Sequence, residues 1–142
     1  MPLFPEDCLL KLVKVKKGYI TFLKHSLESD SMTYLSVVLP VHNEEKNISY
    51  LYNELTEELQ KFKSYEIIFV DDGSSDNSFS ILKDIASKDK KIKVVKLLSN
   101  YGQSTALAAG IEQATGENIV TMDSDLQHDP KDIVGLLKPL EE

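Results

Sequence analysis

The stretch EIIFVDDGSSDNSFSILKDIA, residues 66–86, contains an apolar strand, a polar turn and an amphipathic helix in direct succession. The run from Glu66 to Val70 is short and rich in β-branched residues, which is typical of a strand buried on both faces. The residues DDG at 71–73 end this strand, because a glycine there permits a tight turn. Apolar residues then recur at helical spacing. A buried strand followed by a helix is the repeating half of a βαβ unit, so the stretch predicts an α/β fold.

The same order of strand and helix occurs four times between residues 34 and 142. Strands are predicted at 35–39, 66–70, 92–98 and 118–122, and Pro40 is expected to end the first of them. The third helix is predicted at 105–114 and ended by Gly116, and the last begins with Asp129 as N-cap and Pro130 in its first turn. The sequence therefore predicts a Rossmann-like, mostly parallel sheet with helices on both faces.

Residues 1–33 do not share this order. Their apolar positions fit one face of a helix with lysines between them, and a basic amphipathic helix can lie on a membrane surface. The run 10–22 also alternates like a β-hairpin with a turn near Gly18. Because the two patterns conflict, we interpret 1–33 as an N-terminal extension that is peripheral or poorly ordered. The folded domain is expected at 34–142.

Charge and cysteine content narrow the range of functions. The 142 residues carry a formal net charge of −7, which argues against a nucleic-acid-binding protein because such proteins present a basic face. An acidic protein that binds an anion needs helix N-termini, backbone amides or a metal ion. The one cysteine, Cys8, excludes an intrachain disulfide and fits a reducing, cytoplasmic location. No apolar run approaches the roughly 18 to 20 residues that span a bilayer.

Polar residues follow each predicted strand. Because the carboxyl ends of parallel strands share one edge of a sheet, we expect these residues to converge there, where ligands bind in such folds. Asp123 and Asp125 supply hard oxygen ligands for a divalent cation, since residues i and i+2 of a strand point to the same face. Alternatively, Asp123 only ends the strand and Asp125 caps a turn. In the pair Asp71 and Asp72, an acid at a strand tip can accept hydrogen bonds from a nucleobase or a ribose.

Several nucleotide-binding and hydrolase motifs are missing from the sequence. The loop after the first strand, LPVHNE at 39–44, lacks the Gly-x-Gly-x-x-Gly of dinucleotide-binding folds. There is also no P-loop, no Gly-x-Ser-x-Gly nucleophile elbow and no Cys/His cluster with zinc spacing.

Taken in order, the motifs resemble the family 2 glycosyltransferases with a GT-A fold. The resemblance rests on SVVLPVHNEEKNI at 36–48, EIIFVDDGSSDNS at 66–78 and NYGQSTALAAGIEQATGENIVTMDSDLQHDP at 100–130. The blocks NYGQSTALAAG and DSDLQHDP are most similar to the polyprenyl-phosphate subgroup, which contains dolichyl-phosphate mannose synthases and undecaprenyl-phosphate sugar transferases. In that family the domain continues beyond the point that corresponds to residue 142, so the resemblance covers the nucleotide-binding half.

The resemblance implies a role for each matching residue. The nucleotide pocket would be lined by Pro40, Val41, His42 and Glu44, with Asp71 or Asp72 on the nucleobase and ribose. Asp123 and Asp125 would form the catalytic metal and diphosphate site with Mg²⁺ or Mn²⁺, and Gln127 would complete the metal shell. The sequence departs from the family at His42, where the family usually has Tyr or Phe, and at Asp129, where a second proline is frequent.

The implied reaction is transfer of a sugar from a UDP- or GDP-linked donor to a polyprenyl phosphate, with inversion of configuration. The implied partners also include a membrane surface and either a second copy of the chain or a missing C-terminal half. One alternative is a fragment that binds nucleotide-sugar and metal without turnover. Another is a phosphotransferase of the haloacid dehalogenase type, whose D-x-D follows the first strand of the fold; in this sequence the D-x-D follows the fourth predicted strand of the repeat.

Overall fold

The computed structural model describes residues 10–16, 19–24, 33–125, 129–133 and 137, the first two segments as backbone. Within these residues the chain forms one six-stranded sheet with the strand order β1-β2-β5-β4-β3-β6. The elements in chain order are β1 (Leu10–Lys16), β2 (Tyr19–Lys24), β3 (Leu35–Val41), α1 (Ile48–Leu59), β4 (Tyr65–Asp71), α2 (Ser78–Lys88), β5 (Ile92–Leu97), α3 (Gln103–Glu112) and β6 (Asn118–Thr121).

The four strands of the predicted repeat, β3 to β6, are parallel. Starting from β3, the chain adds β4 and then β5 on one side, and after α3 it returns to place β6 on the other side of β3. The direction of winding therefore reverses between β3 and β6. In open α/β sheets, ligands bind in the crevice beyond the carboxyl ends of the strands at such a point. The predicted α/β class, with a mostly parallel sheet and helices on both faces, is confirmed.

The two faces of the sheet carry different helices. On one face α1 and α2 bury large aliphatic side chains such as Leu51, Leu55 and Leu82 against β3, β4 and β5. On the other face α3 packs through small residues, Ala106 and Ala109. A Cβ atom on Gly110 of α3 would lie 2.4 Å from Cγ1 of Val38 and 2.8 Å from Cγ2 of Val70. The absence of a side chain there lets α3 lie directly on the sheet.

The N-terminal extension adopts the hairpin pattern. β1 pairs antiparallel with β2, and β2 pairs antiparallel with β5, so the hairpin extends the sheet at one edge. Of the two alternatives considered for this region, the amphipathic helix is wrong for Leu10–Lys16 and Tyr19–Lys24, which are strands at the edge of the sheet. The strand conformation prevails because β5 offers β2 backbone hydrogen bonds along an otherwise open edge, and β2 in turn offers them to β1. The predicted turn near Gly18 lies outside the described residues.

The first predicted strand continues through Pro40, which was expected to end it. The carbonyl oxygen of Val38 accepts the Met122 N–H on the β6 side, and the side chain of Ser124 reaches the Pro40 carbonyl on that side. Along a strand, residues two apart face the same neighbour, so Pro40 faces the region where β6 has already ended. The missing N–H of proline therefore removes no ladder hydrogen bond, which is why the strand tolerates it.

Other boundaries shift less. α3 ends at Glu112 instead of Ala114, and Gly116 lies beyond it. A Cβ on Gly116 would come within 2.6 Å of the Ser36 backbone nitrogen, so this glycine serves close contact with β3 and is not a helix cap. Asp129 does cap the last helix, since its carboxylate accepts the Lys131 N–H at 3.0 Å. No helix in the described part of the chain has both the length and the apolar character to cross a membrane.

A buried polar network ties the amino-terminal ends of the strands together. Glu66 accepts hydrogen bonds from the Ser36 hydroxyl at 2.7 Å and the Thr115 N–H at 2.7 Å, and it pairs with Lys93 at 2.6 Å. Burial alone would raise the pKa of Glu66, but the hydrogen bonds from Lys93, Ser36 and Thr115 outweigh it and hold the pKa below the ordinary value of 4.5. The ionised carboxylate thus joins β3, β4, β5 and the segment before β6.

We expect Glu66→Gln to lower the free energy of unfolding by about 2 kcal/mol at pH 7, because it removes a charge that several buried donors share. The folded-state pKa lies below the unfolded one, so the wild-type advantage is complete above about pH 4.5 and is lost as the pH falls through the folded value. Urea denaturation of both proteins between pH 7 and pH 3 measures how the difference in their free energies of unfolding decreases with pH. Glu57→Gln, at an exposed position of α1, is the control. A difference in the free energy of unfolding that does not change with pH would contradict the lowered pKa of Glu66.

Candidate functional site

A cleft opens at the carboxyl edge of the sheet, where the winding direction reverses. It has a volume of about 300 Å³. Its walls come from the ends of β3, β4 and β6 and from the turn that begins α3. The lining residues are Pro40, Val41, His42, Glu44, Asp72, Asn100, Gly102, Gln103, Asp123, Ser124 and Asp125.

The two acids after β6 are held by the residue between them. Ser124 is buried, and its hydroxyl donates to the Pro40 carbonyl oxygen at 2.8 Å. This bond fixes the turn to β3, and the acids on either side of Ser124 line the cleft. The side-chain amide of Gln103 donates to Oδ1 of Asp123 at 2.6 Å. The turn after β6 is therefore anchored to both neighbouring walls.

His42 lies at the tip of β3 with its ring orientation defined by three contacts. Its Nδ1 lies 2.8 Å from the backbone oxygen of Asp72, which can only accept, so Nδ1 carries the proton. The side-chain amide nitrogens of Asn43 and Asn100 both lie 3.4 Å from Nε2, so the ring contacts the loops that follow β3, β4 and β5.

The consecutive acids at the end of β4 have different surroundings. Asp72 is buried at the cleft wall, and its carboxylate accepts the backbone N–H groups of Tyr101 at 2.8 Å and Gly102 at 3.0 Å. Asp71 is fully buried, 3.7 Å from the Lys96 ammonium, and neither of its oxygens has a hydrogen-bond partner among the described residues. Asp72 therefore orders the loop before α3, whereas Asp71 accepts no hydrogen bond from the described residues.

Asn43, in the loop after β3, holds that loop against the loop after β4 through hydrogen bonds. Its backbone has a positive φ of 53°, a region that asparagine tolerates better than most residues. Its side-chain oxygen accepts the Ser75 N–H at 2.8 Å and the Asp76 N–H at 3.3 Å, and its own N–H donates to the Ser74 hydroxyl. The carboxylate of Asp76 accepts the Ser78 N–H at 2.9 Å, next to Asn77, the N-cap residue of α2, whose own side chain makes no capping hydrogen bond.

We expect Asn43→Gly to lower the free energy of unfolding by about 1 kcal/mol, because it removes exposed hydrogen bonds but keeps the positive φ. Asn43→Ala is expected to cost about 1 kcal/mol more, since a Cβ without a hydrogen-bonding group disfavours that conformation. Urea denaturation measures both, and hydrogen exchange at Ser75 and Asp76 reports the loops directly. Asn53→Ala, at an exposed position of α1, is the control. Unchanged exchange in both variants would show that Asn43 does not hold the loops.

Most of the residues proposed from the sequence meet in this cleft. Pro40, Val41, His42, Glu44, Asp72, Asp123 and Asp125 line it. Asp71 does not line it, and Gln127 lies outside the described residues. Asn100, Gly102, Gln103 and Ser124 also line the cleft but were not proposed as site residues. The polar run at 99–103 after a predicted strand was a signal for the first three, and the position of Ser124 between two acids was a signal for the fourth.

The donors in the cleft suit a divalent cation. Asp123 and Asp125 present hard carboxylate oxygens on one wall, and Asp125 is exposed. No group of three or more His, Cys, Asp or Glu side chains able to hold a metal occurs among the described residues. Mg²⁺ and similar ions are often held by one or two carboxylates together with substrate phosphates, so two acids are sufficient for that kind of site.

A family model described as glycosyl transferase family 2 matches residues 36–142. The chain belongs to glycosyl transferase family 2. The match begins within β3 and includes every residue of the cleft, so the predicted family is confirmed. The D-x-D of this domain follows the last of the four parallel strands, as the family resemblance implied and unlike the phosphotransferase alternative.

Named relatives share the same part of the sequence. The undecaprenyl-phosphate 4-deoxy-4-formamido-L-arabinose transferase of Proteus mirabilis is 39% identical over 115 residues, covering 80% of this chain and 35% of that protein. The protein of the same name from Enterobacter sp. is 44% identical over 110 residues, covering 76% of this chain and 34% of that one. The family 2 domain described here thus spans about a third of the length of these curated relatives.

Solved structures confirm the GT-A fold. S. aureus TarS 1–349 in complex with UDP-GlcNAc matches with a TM-score of 0.61 and 30% identity, over 75% of this chain and 32% of that one. A second match is glucosyl-3-phosphoglycerate synthase from Mycobacterium tuberculosis, in complex with Mn²⁺, UDP and glucosyl-3-phosphoglycerate. Its TM-score is 0.60 and its identity 28%, and the match covers 76% of this chain and 39% of that one.

Proposed function

We propose that the domain binds a nucleoside-diphosphate sugar in the cleft between β3 and β6, as part of an inverting glycosyltransferase that acts on a polyprenyl phosphate. The observation that carries the proposal is the convergence of the polar ends of β3, β4 and β6 on one cleft, with Asp123 and Asp125 on its wall. Membership of glycosyl transferase family 2 and the undecaprenyl-phosphate transferases among the relatives support the same reading. A polyprenyl phosphate is a membrane lipid, so the reaction would take place at a membrane surface, which we assign to the cytoplasmic face.

Different residues of the cleft would contact different parts of the donor. The backbone around Pro40 and Val41, with His42 and Glu44, would contact the nucleoside. Of the two acids at the end of β4, Asp72 lines the cleft and would contact the nucleobase or the ribose, whereas Asp71 does not line it and lies 3.7 Å from the Lys96 ammonium. Asp72 also accepts two backbone N–H groups, so it would shape the pocket as well.

Asp123 and Asp125 would hold a Mg²⁺ or Mn²⁺ ion together with the diphosphate of the donor. The ion, when bound, would offset the negative charge that develops on the departing diphosphate. The mutual repulsion of the two carboxylates would fall at the same time, because a cation between like charges lowers the energy of both. The hydrogen bond from Ser124 to the Pro40 carbonyl would hold the backbone of both acids in place.

The proposed transfer is a single displacement. An oxygen of the acceptor phosphate attacks the anomeric carbon, and a new carbon–oxygen bond forms on the face opposite the leaving group. The bond between that carbon and the donor diphosphate breaks, and the nucleoside diphosphate departs with the electron pair. Because a phosphate is already an anion at neutral pH, the step needs no strong protein base.

A second candidate function is binding of nucleotide-sugar and metal without turnover. The observation in its favour is that the described cleft supplies the polar groups that binding of a nucleotide-sugar and an ion would require. Both candidates use the same cleft, and they differ in whether sugar reaches an acceptor.

Isothermal titration calorimetry with UDP and GDP, each with and without Mn²⁺, tests the proposal. We expect one of the two nucleotides to bind preferentially and only weakly in the absence of the ion. No binding of either nucleotide with Mn²⁺ present would contradict both candidates. A subsequent incubation with the matching nucleotide-sugar and a polyprenyl phosphate separates them, because only the enzyme forms a glycolipid.

A further inference from the structure

Gln103 is the first residue of α3, and its exposed side chain reaches across the cleft. Its amide nitrogen donates to Oδ1 of Asp123 at 2.6 Å. A hydrogen bond to an ionised acceptor is roughly twice as strong as one between neutral groups. In the D-x-D, α3 therefore orients Asp123 directly through Gln103.

The position of Gln103 is itself set by a buried carboxylate. Asp72 accepts the backbone N–H groups of Tyr101 and Gly102, the two residues that immediately precede Gln103. Gly102 has a φ of +98°, a conformation that side chains disfavour, so the chain can turn there into the helix. The end of β4 is thus linked to the end of β6. The Asp72 carboxylate holds the turn at Tyr101 and Gly102, and the Gln103 amide that follows this turn holds Asp123.

This link has a consequence for Asp123. A carboxylate at a strand tip can rotate about its side-chain bonds, and each rotamer aims its oxygens differently. A donor fixed on Oδ1 restricts this rotation and holds the carboxylate in one orientation. Outer residues that hold ligating carboxylates typically change metal affinity by about 10- to 100-fold when removed.

We propose that Gln103 is a positioning residue that preorganises Asp123 for the divalent cation and the diphosphate. The inference rests on the proposed function of the cleft, and it adds α3 to the elements that determine metal affinity. Gln103 does not contact the reacting atoms in this role; it acts through Asp123.

The test is Gln103→Met, which keeps the length of the side chain and removes its hydrogen-bonding groups. We expect the dissociation constant for Mn²⁺, measured by electron paramagnetic resonance at saturating UDP or GDP, to rise by about 10- to 100-fold. The affinity for the same nucleotide without metal and the thermal midpoint should stay close to wild type. Gln113→Met, just beyond the other end of α3, is the matched control and should leave all three quantities unchanged.

The outcomes separate the two proposals. Equal or tighter Mn²⁺ binding in Gln103→Met overturns the positioning role while leaving the proposed function intact. A fall in the thermal midpoint together with weaker metal-free nucleotide binding also overturns it, because the residue would then be structural. Absence of metal-dependent nucleotide binding in the wild-type protein contradicts the proposed function, and the positioning role is overturned with it.

Discussion

Asp123→Asn is expected to weaken Mn²⁺-dependent binding of the preferred nucleotide by at least about 100-fold, because removing an outer partner alone costs about 10- to 100-fold and Asp123 is a direct ligand in the proposed site. The substitution removes one of two carboxylates and leaves a neutral oxygen in its place. That oxygen can still accept the hydrogen bond from Gln103, so the local structure should persist. Calorimetry with and without Mn²⁺ measures the effect.

Asp132→Asn controls for net charge. It removes one negative charge from an exposed position a few residues further along the chain. If Asp132→Asn weakens binding as much as Asp123→Asn does, the effect is a general one of charge and the metal site is wrong. If Asp123→Asn binds like the wild type, Asp123 is not a ligand.

Gly110→Val is expected to lower the free energy of unfolding by about 3 kcal/mol, the upper part of the usual range for an overpacked core. The added Cβ alone would lie 2.4 Å from Cγ1 of Val38 and 2.8 Å from Cγ2 of Val70. Both valines are fully buried and cannot turn away, so α3 has to lift from the sheet. Urea denaturation followed by circular dichroism measures the loss.

Ala108→Val makes the same type of change on the exposed face of α3. It should cost no more than the difference in helix propensity, below about 0.7 kcal/mol. Should Gly110→Val not fold, Gly110→Ala gives a smaller overlap and the same direction of change. Equal stabilities of the variants at positions 108 and 110 would show that α3 does not depend on close contact with the sheet.

The sequence was most informative where strands run into polar residues. The order of the four parallel strands and the helices follows from apolar runs and helical spacing, because burial on both faces leaves a strand such as Ile67–Val70 without polar residues. The same logic predicted that His42, Asp72, Asp123 and Asp125 would converge, since they follow strands that share one edge.

What the sequence could not predict depends on contacts between distant side chains. Nothing in the pattern around Gln103 indicates that its amide meets Asp123, because that pairing depends on the packing distance of α3. The different surroundings of Asp71 and Asp72 come from strand alternation at the tip of β4, where one side chain faces the α1 and α2 layer and the other faces the cleft. In residues 10–24, helical and strand periodicity competed, and the open edge of β5 decided between them.

The hydrogen bond between Ser124 and Pro40 joins residues 84 positions apart in the sequence. Contacts of such long separation are slow to form, because the entropy of closing a large loop is lost before the contact contributes energy. The turn that carries Asp123 and Asp125 acquires its anchor only after β6 has crossed back to β3. Binding at the proposed donor site therefore requires the completely folded sheet, because the D-x-D reaches the cleft only when β6 pairs with β3.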